Sequence, residues 1–255
     1  MTKLSGPGRV ERYLRQEIDR GPIHFTLIDP DKSPGEAAAR TAAQAVEAGS
    51  HVILLGGSTG ISPEKMGIAA TAVKRSVRVP VVIFPEGPGS LAREADAVLF
   101  MSLLNSRRLD LVVRAQAQAA PLVRHLGLEP IPLGYLVIAP GMRVGEVGEV
   151  DTVARDDLPS AVGYALAAEY LGMRFVYLEA GSGAPAPVPA ELLRAVREVC
   201  SIPLIVGGGI RTAADARGLL DAGADALVTG TITEQEGIGS AFRGILEEVR
   251  RSRVR

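Results

Sequence analysis

The residues of this chain best suited to hold an anion are three glycine-rich stretches, each of which follows an apolar run. They are Val176-Tyr-Leu-Glu-Ala-Gly-Ser-Gly183, Pro203-Leu-Ile-Val-Gly-Gly-Gly-Ile210 and Ala226-Leu-Val-Thr-Gly-Thr231. Each apolar run has the length and β-branched content of a buried parallel strand. Glycine lets backbone N–H groups approach a ligand closely where a helix begins. Ser182-Gly183, Gly207-Gly208-Gly209 and Gly230-Thr231 therefore form a candidate phosphate cradle at the ends of late strands. Packing glycines would explain one such loop, but strain to explain three. The cradle identifies an anionic ligand and leaves the reaction open.

Glu179 ends a run that otherwise reads Phe-Val-Tyr-Leu. A carboxylate there is costly to bury without a partner or a task. Tyr177 stands two positions earlier, so both side chains point to the same strand face. Aimed into a barrel mouth, Glu179 would take a proton from a substrate hydroxyl. The alternative is a structural ion pair with an arginine on an adjacent strand. In Thr26-Leu-Ile-Asp-Pro-Asp-Lys32, Asp29, Asp31 and Lys32 share one turn. Two carboxylates so placed suit a hard cation such as Mg2+, which shares itself with phosphates. The competing role is to cap the helix that Ser33-Pro34 opens. In Leu54-Leu-Gly-Gly-Ser-Thr-Gly60, small residues leave room for a ligand, and Ser58 or Thr59 offers a hydroxyl to metal, phosphate or a cap. His24, His51 and His125 fall at strand starts or a helix end, away from such a mouth, and read as structural. Arg143 and Arg211 are candidates to reach a diphosphate, with solvated rim arginines as the default reading.

The elements that must position these groups alternate strand and helix. Strands are expected at Ile23–Pro30, His51–Gly57, Val79–Pro85, Ala97–Leu104, Gly134–Ala139, Phe175–Ala180, Pro203–Gly208 and Ala226–Gly230. Helices are expected at Pro34–Ala48, Pro63–Arg75, Arg107–Leu126, Ser160–Leu171, Pro189–Val199, Thr212–Ala222 and Ser240–Arg251. Prolines at first turns and glycines at C-terminal caps agree. The third unit is irregular, because Pro88–Ala95 is short for a crossover helix. Gly141–Pro159 reads as an ordered loop or lid on the fifth unit. Eight βα units suit a single (β/α)8 TIM barrel over residues 1–255. An open doubly wound sheet fits less well, since no G-x-G-x-x-G follows the first strand.

Composition narrows the class. The chain has 255 residues, 47% of them hydrophobic, with net charge −1 and one cysteine. That charge argues against a nucleic-acid protein with a broad basic face. The single Cys200 excludes an intramolecular disulfide and reads as a packed thiol, so a cytoplasmic setting is expected. No run is long enough for a transmembrane helix, and the first residues lack a signal-peptide core.

With these residues in place, the chain resembles the geranylgeranylglyceryl phosphate synthase family, including the related bacterial heptaprenylglyceryl phosphate synthases. The matching stretches are Leu27–Lys32, Leu55–Gly60, Phe100–Ser106, Gly134–Gly141, Tyr177–Gly183, Val206–Arg211 and Val228–Thr231. The resemblance implies transfer of a prenyl group from geranylgeranyl diphosphate to the 3-hydroxyl of sn-glycerol 1-phosphate. That ether bond is the first committed one of archaeal membrane lipids. By resemblance, Asp29 and Ser58 hold Mg2+. Tyr177, Leu178, Glu179, Ala180, Gly181, Ser182 and Gly183, with Gly208, Gly209, Gly230 and Thr231, surround glycerol 1-phosphate. Glu179 and Tyr177 are the expected catalytic pair. A homo-oligomer of the archaeal branch is implied, with brief membrane contact on product release. The chain departs from the family pattern at Thr231, where asparagine is usual, and at Leu27, Ala139 and Glu146. The residues also allow a phosphate-binding barrel isomerase or lyase of sugar phosphates. That enzyme would need no metal and would carry a second acid or base on strand one or five, with Asp29 as a candidate. A phosphate-binding barrel subunit without activity is the third reading.

Overall fold

The computed structural model describes residues 6–57 and 60–253. Eight parallel strands close into a barrel in chain order. They are β1 (Ile23–Ile28), β2 (Val52–Leu55), β3 (Val81–Ile83), β4 (Ala97–Leu103), β5 (Glu129–Val137), β6 (Phe175–Glu179), β7 (Leu204–Gly207) and β8 (Ala226–Thr229). The expected TIM barrel is the fold observed. Around it run α1 (Arg9–Asp19), α2 (Glu36–Ala48), α3 (Pro63–Ser76), α4 (Ala115–Leu126), α5 (Met142–Val147), α6 (Leu158–Tyr170), α7 (Ala190–Val199), α8 (Ala213–Asp221), α9 (Thr231–Glu236) and α10 (Ser240–Ser252). Among the described residues no helix is long and apolar enough to cross a membrane.

Side-chain alternation divides each strand between two cores. Phe25, Leu54, Leu99, Leu133, Phe175 and Ile205 fill the barrel interior. Ile53, Leu55, Leu136, Val176, Leu178 and Val206 pack beneath the helices. Both strand faces are buried, which is why the strands read as unbroken apolar runs.

The structure differs from the sequence reading in the short helix α9, which was not expected, and in four places that bear on packing. The third unit is as irregular as expected, with a single 3-10 turn (Pro88–Ser90) between β3 and β4. The predicted helix from Arg107 begins instead with a π turn at Asp110–Arg114 that leads into α4. Strand β5 starts at Glu129, ahead of the expected Gly134, and runs through Pro130 and Pro132. Its odd-numbered N–H groups face β4, as Glu129 N–H does on the Asp96 carbonyl. The even-numbered ones face β6, which begins only at Phe175 opposite Leu133, so both prolines forgo bonds that no strand is there to accept. The expected Gly141–Pro159 loop contains α5 and the start of α6. It follows a cis Ala139–Pro140 bond. Buried Asn105 ties it down, donating to the carbonyls of Val137 and Asp151 at 2.9 Å each.

The fourth difference is α1, which sequence periodicity did not single out. It crosses the N-terminal end of the barrel, where its Val10 and Leu14 join the interior core. Its buried Glu11 pairs with Arg15 at 2.9 Å and with Arg174. Its first N–H groups, those of Val10 and Glu11, both donate to the Glu129 carboxylate at 2.8 Å. The helix cap thus comes from a residue more than a hundred positions away. Glu129→Ala removes it and is expected to cost about 1–2 kcal/mol. A lowered urea midpoint with an unchanged slope would register that loss.

Candidate active site

Three inward positions on two neighbouring strands build the chemical centre. Tyr135 on β5 and Tyr177 on β6 sit in register, with Glu179 one level nearer the mouth. The two rings lie 4.9 Å apart, and Phe84 closes edge-on against them at 5.8 and 5.9 Å. The Glu179 carboxylate accepts hydrogen bonds from Tyr135 Oη at 3.1 Å and from the Gly181 N–H at 2.6 Å. Tyr177, its ring against Tyr135, also favours the ionised form of that carboxylate. The donors recorded on it are a phenol and a backbone N–H, neutral groups rather than the arginine of the alternative reading.

These donors stabilise a carboxylate without cancelling its charge. Burial pushes the Glu179 pKa above its ordinary value, while Gly181 and the two tyrosines pull against that shift. Both phenols are pushed far up by burial and then by the adjacent carboxylate, so they remain hydrogen-bond donors. A buried carboxylate that favours protonation more than usual is suited to accept a proton from a bound hydroxyl.

The glycine loops enclose this centre. Gly208 and Gly209 take left-handed φ values of 80° and 72°. A Cβ on Gly208 would sit 2.2 Å from Glu179 Oε1 and 2.6 Å from the Gly181 nitrogen, so the loop after β7 is pressed against the loop after β6. The Ser182 and Thr231 hydroxyls meet at 2.8 Å, which joins the loops after β6 and β8. Arg211 spans from the β7 loop to the Gly183 carbonyl at 3.0 Å. The three stretches read as a cradle are therefore contiguous. Two residues within them face elsewhere. Leu178 and Ala180 pack in the outer core, and the Ala180 N–H and carbonyl are taken by Gly207 and Gly141. Alternation along β6 dictates this, since inward Tyr177 and Glu179 force their neighbours outward.

Asp29 lies at the end of β1, across the seam with β8. Its carboxylate packs on Gly57 so closely that a Cβ there would lie 2.7 Å from the carboxylate carbon. Oδ1 accepts the Asp31 N–H at 3.0 Å, whereas Oδ2 has Lys32 Nζ at 3.8 Å, beyond hydrogen-bond reach. The competing role as a helix cap is not taken: α2 starts after Gly35 with no side-chain cap. One carboxylate over a glycine cradle, with an oxygen left for a cation, fits a Mg2+ ion that takes its remaining ligands from water and substrate. Ser58 and Thr59 lie outside the described residues. Asp31 is held by Lys65 at 2.7 Å.

His24 and His51 take structural places, as expected. His24 is fully buried between Ser50 and Thr229, at 3.2 and 3.0 Å, and burial lowers its pKa to about 3. His51 is held down to about 4, first by burial and then by Arg253. Cys200 is buried and its thiol pKa is raised by that burial, in keeping with a packed thiol. Tyr135 is the partner of Glu179 that the sequence reading did not single out. Its signal is cross-strand register with Tyr177, which no single strand reveals.

The PcrB family matches residues 13–249 of the chain. A geranylgeranylglyceryl phosphate synthase of Thermococcus kodakarensis is 47% identical over 96% of this chain and 97% of its own. The crystal structure of (S)-3-O-geranylgeranylglyceryl phosphate synthase from Thermoplasma acidophilum in complex with its substrate sn-glycerol-1-phosphate superimposes with a TM-score of 0.91. It is 43% identical, over 98% of this chain and all of that one. The Thermoplasma volcanium enzyme superimposes with a TM-score of 0.90 at 39% identity, over 94% of this chain and 97% of its own. By both sequence and fold, the chain belongs to the PcrB family, beside these geranylgeranylglyceryl phosphate synthases.

Proposed function

We propose that this barrel forms the ether bond between geranylgeranyl diphosphate and the 3-hydroxyl of sn-glycerol 1-phosphate. The observation that carries the reading is Glu179, buried and inward-facing, held by Tyr135 and the Gly181 N–H and pressed against the contiguous glycine loops. Those loops, through Gly181, Ser182, Gly183, Gly208, Gly209, Gly230 and Thr231, would fix the glycerol phosphate, and fixing it supplies positioning. Tyr135 and the Gly181 N–H hold the Glu179 carboxylate where it would accept the hydroxyl proton as the carbon–oxygen bond forms, with Tyr177 beside it. Phe84, edge-on against both tyrosines, would help to exclude water from that step. Asp29, with Ser58, would hold Mg2+, which when bound lowers the cost of diphosphate departure. The nearly complete exposure of Tyr170 and Leu171, 80% and 73%, suits a homo-oligomer that covers them.

A sugar-phosphate isomerase is less well supported. It calls for a second acid or base on strand one or five; the interior face of β5 offers Ile131, Leu133, Tyr135 and Val137, so Asp29 at the end of β1 would have to serve, and metal dependence separates the two readings. The test is transfer of radiolabelled sn-glycerol 1-phosphate into organic-extractable product, with geranylgeranyl diphosphate and either Mg2+ or EDTA. Label is expected in the organic phase with Mg2+ and not with EDTA. Folded protein that binds phosphate and transfers no label to any prenyl diphosphate would overturn the reading.

A further inference from the structure

Lys32 is a cation in the barrel mouth with no assigned task. Its ammonium lies 2.7 Å from Glu234 on α9 and 3.8 Å from Asp29 Oδ2 at the end of β1. It thus bridges the seam between β8 and β1, with the Asp29 carboxylate on one side and the helix that opens at Thr231 on the other. Its side chain is 60% exposed, so an incoming ligand can reach it.

The charge around the mouth makes this position consequential. Asp29, Asp31, Glu86 and Glu234 all stand on the β1, β2, β3 and β8 loops or contact them, and Glu86 accepts the Gly60 N–H at 2.9 Å. Lys65 is spent on Asp31. A diphosphate entering there meets several carboxylates and carries more negative charge than one divalent ion cancels. An exposed ion pair contributes little to stability, so Lys32 can exchange Glu234 for a more highly charged partner at small cost. Ammonium on a flexible stem is a usual point-charge ligand of phosphate oxygens.

We propose that Lys32 binds the diphosphate of the prenyl donor, with Glu234 holding its ammonium beside Asp29 until that diphosphate arrives. This deepens the transferase reading and rests on it. The experiment is calorimetric titration of inorganic diphosphate into the full chain with Mg2+, sn-glycerol 1-phosphate being kept saturating so that the glycine cradle is filled. Lys32→Ala is expected to weaken diphosphate by about 10- to 100-fold, the usual worth of a charged hydrogen bond. Affinity for sn-glycerol 1-phosphate should stay as in the parent, which also reports an intact fold. Lys32→Arg should recover most of the diphosphate affinity, and Lys65→Ala should retain it. Parent-like diphosphate affinity in Lys32→Ala overturns the assignment and leaves the transferase reading standing. A parent chain that binds sn-glycerol 1-phosphate but no diphosphate overturns both.

Discussion

Glu179→Gln is expected to lower kcat by about 100- to 10,000-fold, the range for losing a positioned general base. Glutamine keeps the shape and can still accept the Gly181 N–H, so sn-glycerol 1-phosphate should bind with little change. The same side chain sets the acid limb of the pH profile. A base works when ionised, and burial raises the Glu179 pKa, so activity should fall as pH drops through a midpoint above the ordinary glutamate value. Tyr135→Phe removes a hydrogen bond that favours the ionised form, so it should move that midpoint to higher pH. A merely structural role for Tyr135 would lower activity at all pH values and leave the midpoint in place. Near-parent turnover in Glu179→Gln, with both substrates bound, would remove Glu179 from the mechanism.

Gly208→Ala is the second large effect. Its Cβ would stand 2.2 Å from Glu179 Oε1 and 2.6 Å from the Gly181 backbone nitrogen, and its φ of 80° already disfavours any side chain. The carboxylate could swing aside, but the backbone cannot. Strain and overpacking together are expected to cost about 2–4 kcal/mol. Turnover should fall further than stability alone predicts, because the displaced group is the proposed base. Urea unfolding and steady-state kinetics on the same sample separate the two losses. Gly218→Ala in α8 is the internal comparison. Nothing lies within 4 Å of its Cβ, and alanine favours a helix interior by about 0.5–1 kcal/mol. Equal behaviour of the two variants would mean that the β6 and β7 loops are not pressed together as described.

Much of this barrel is legible from local sequence. A strand buried on both faces must be apolar throughout, and a helix between strands must show its proline starts and glycine stops. Those signals located eight strands, most helices and the short third connection. They also placed Glu179, Asp29 and the glycine loops at strand ends, since two-residue alternation and turn chemistry are local properties.

The rest depended on groups far apart in the chain. Helix α1 is capped by Glu129 and clamped through Glu11 to Arg174, so its stability is written in other elements. The prolines of β5 are harmless only because β6 starts late beside them. Tyr135 becomes a partner of Glu179 through strand register, and Ser182 meets Thr231 through closure of the barrel. Lys32 gains its place between Asp29 and Glu234 in the same way, since only closure brings β8 against β1. Sequence by itself determined which side chains could do chemistry and at which strand ends they stand, because backbone periodicity is local. Tertiary structure alone decided which of them touch, because register and closure are set by packing the whole barrel at once.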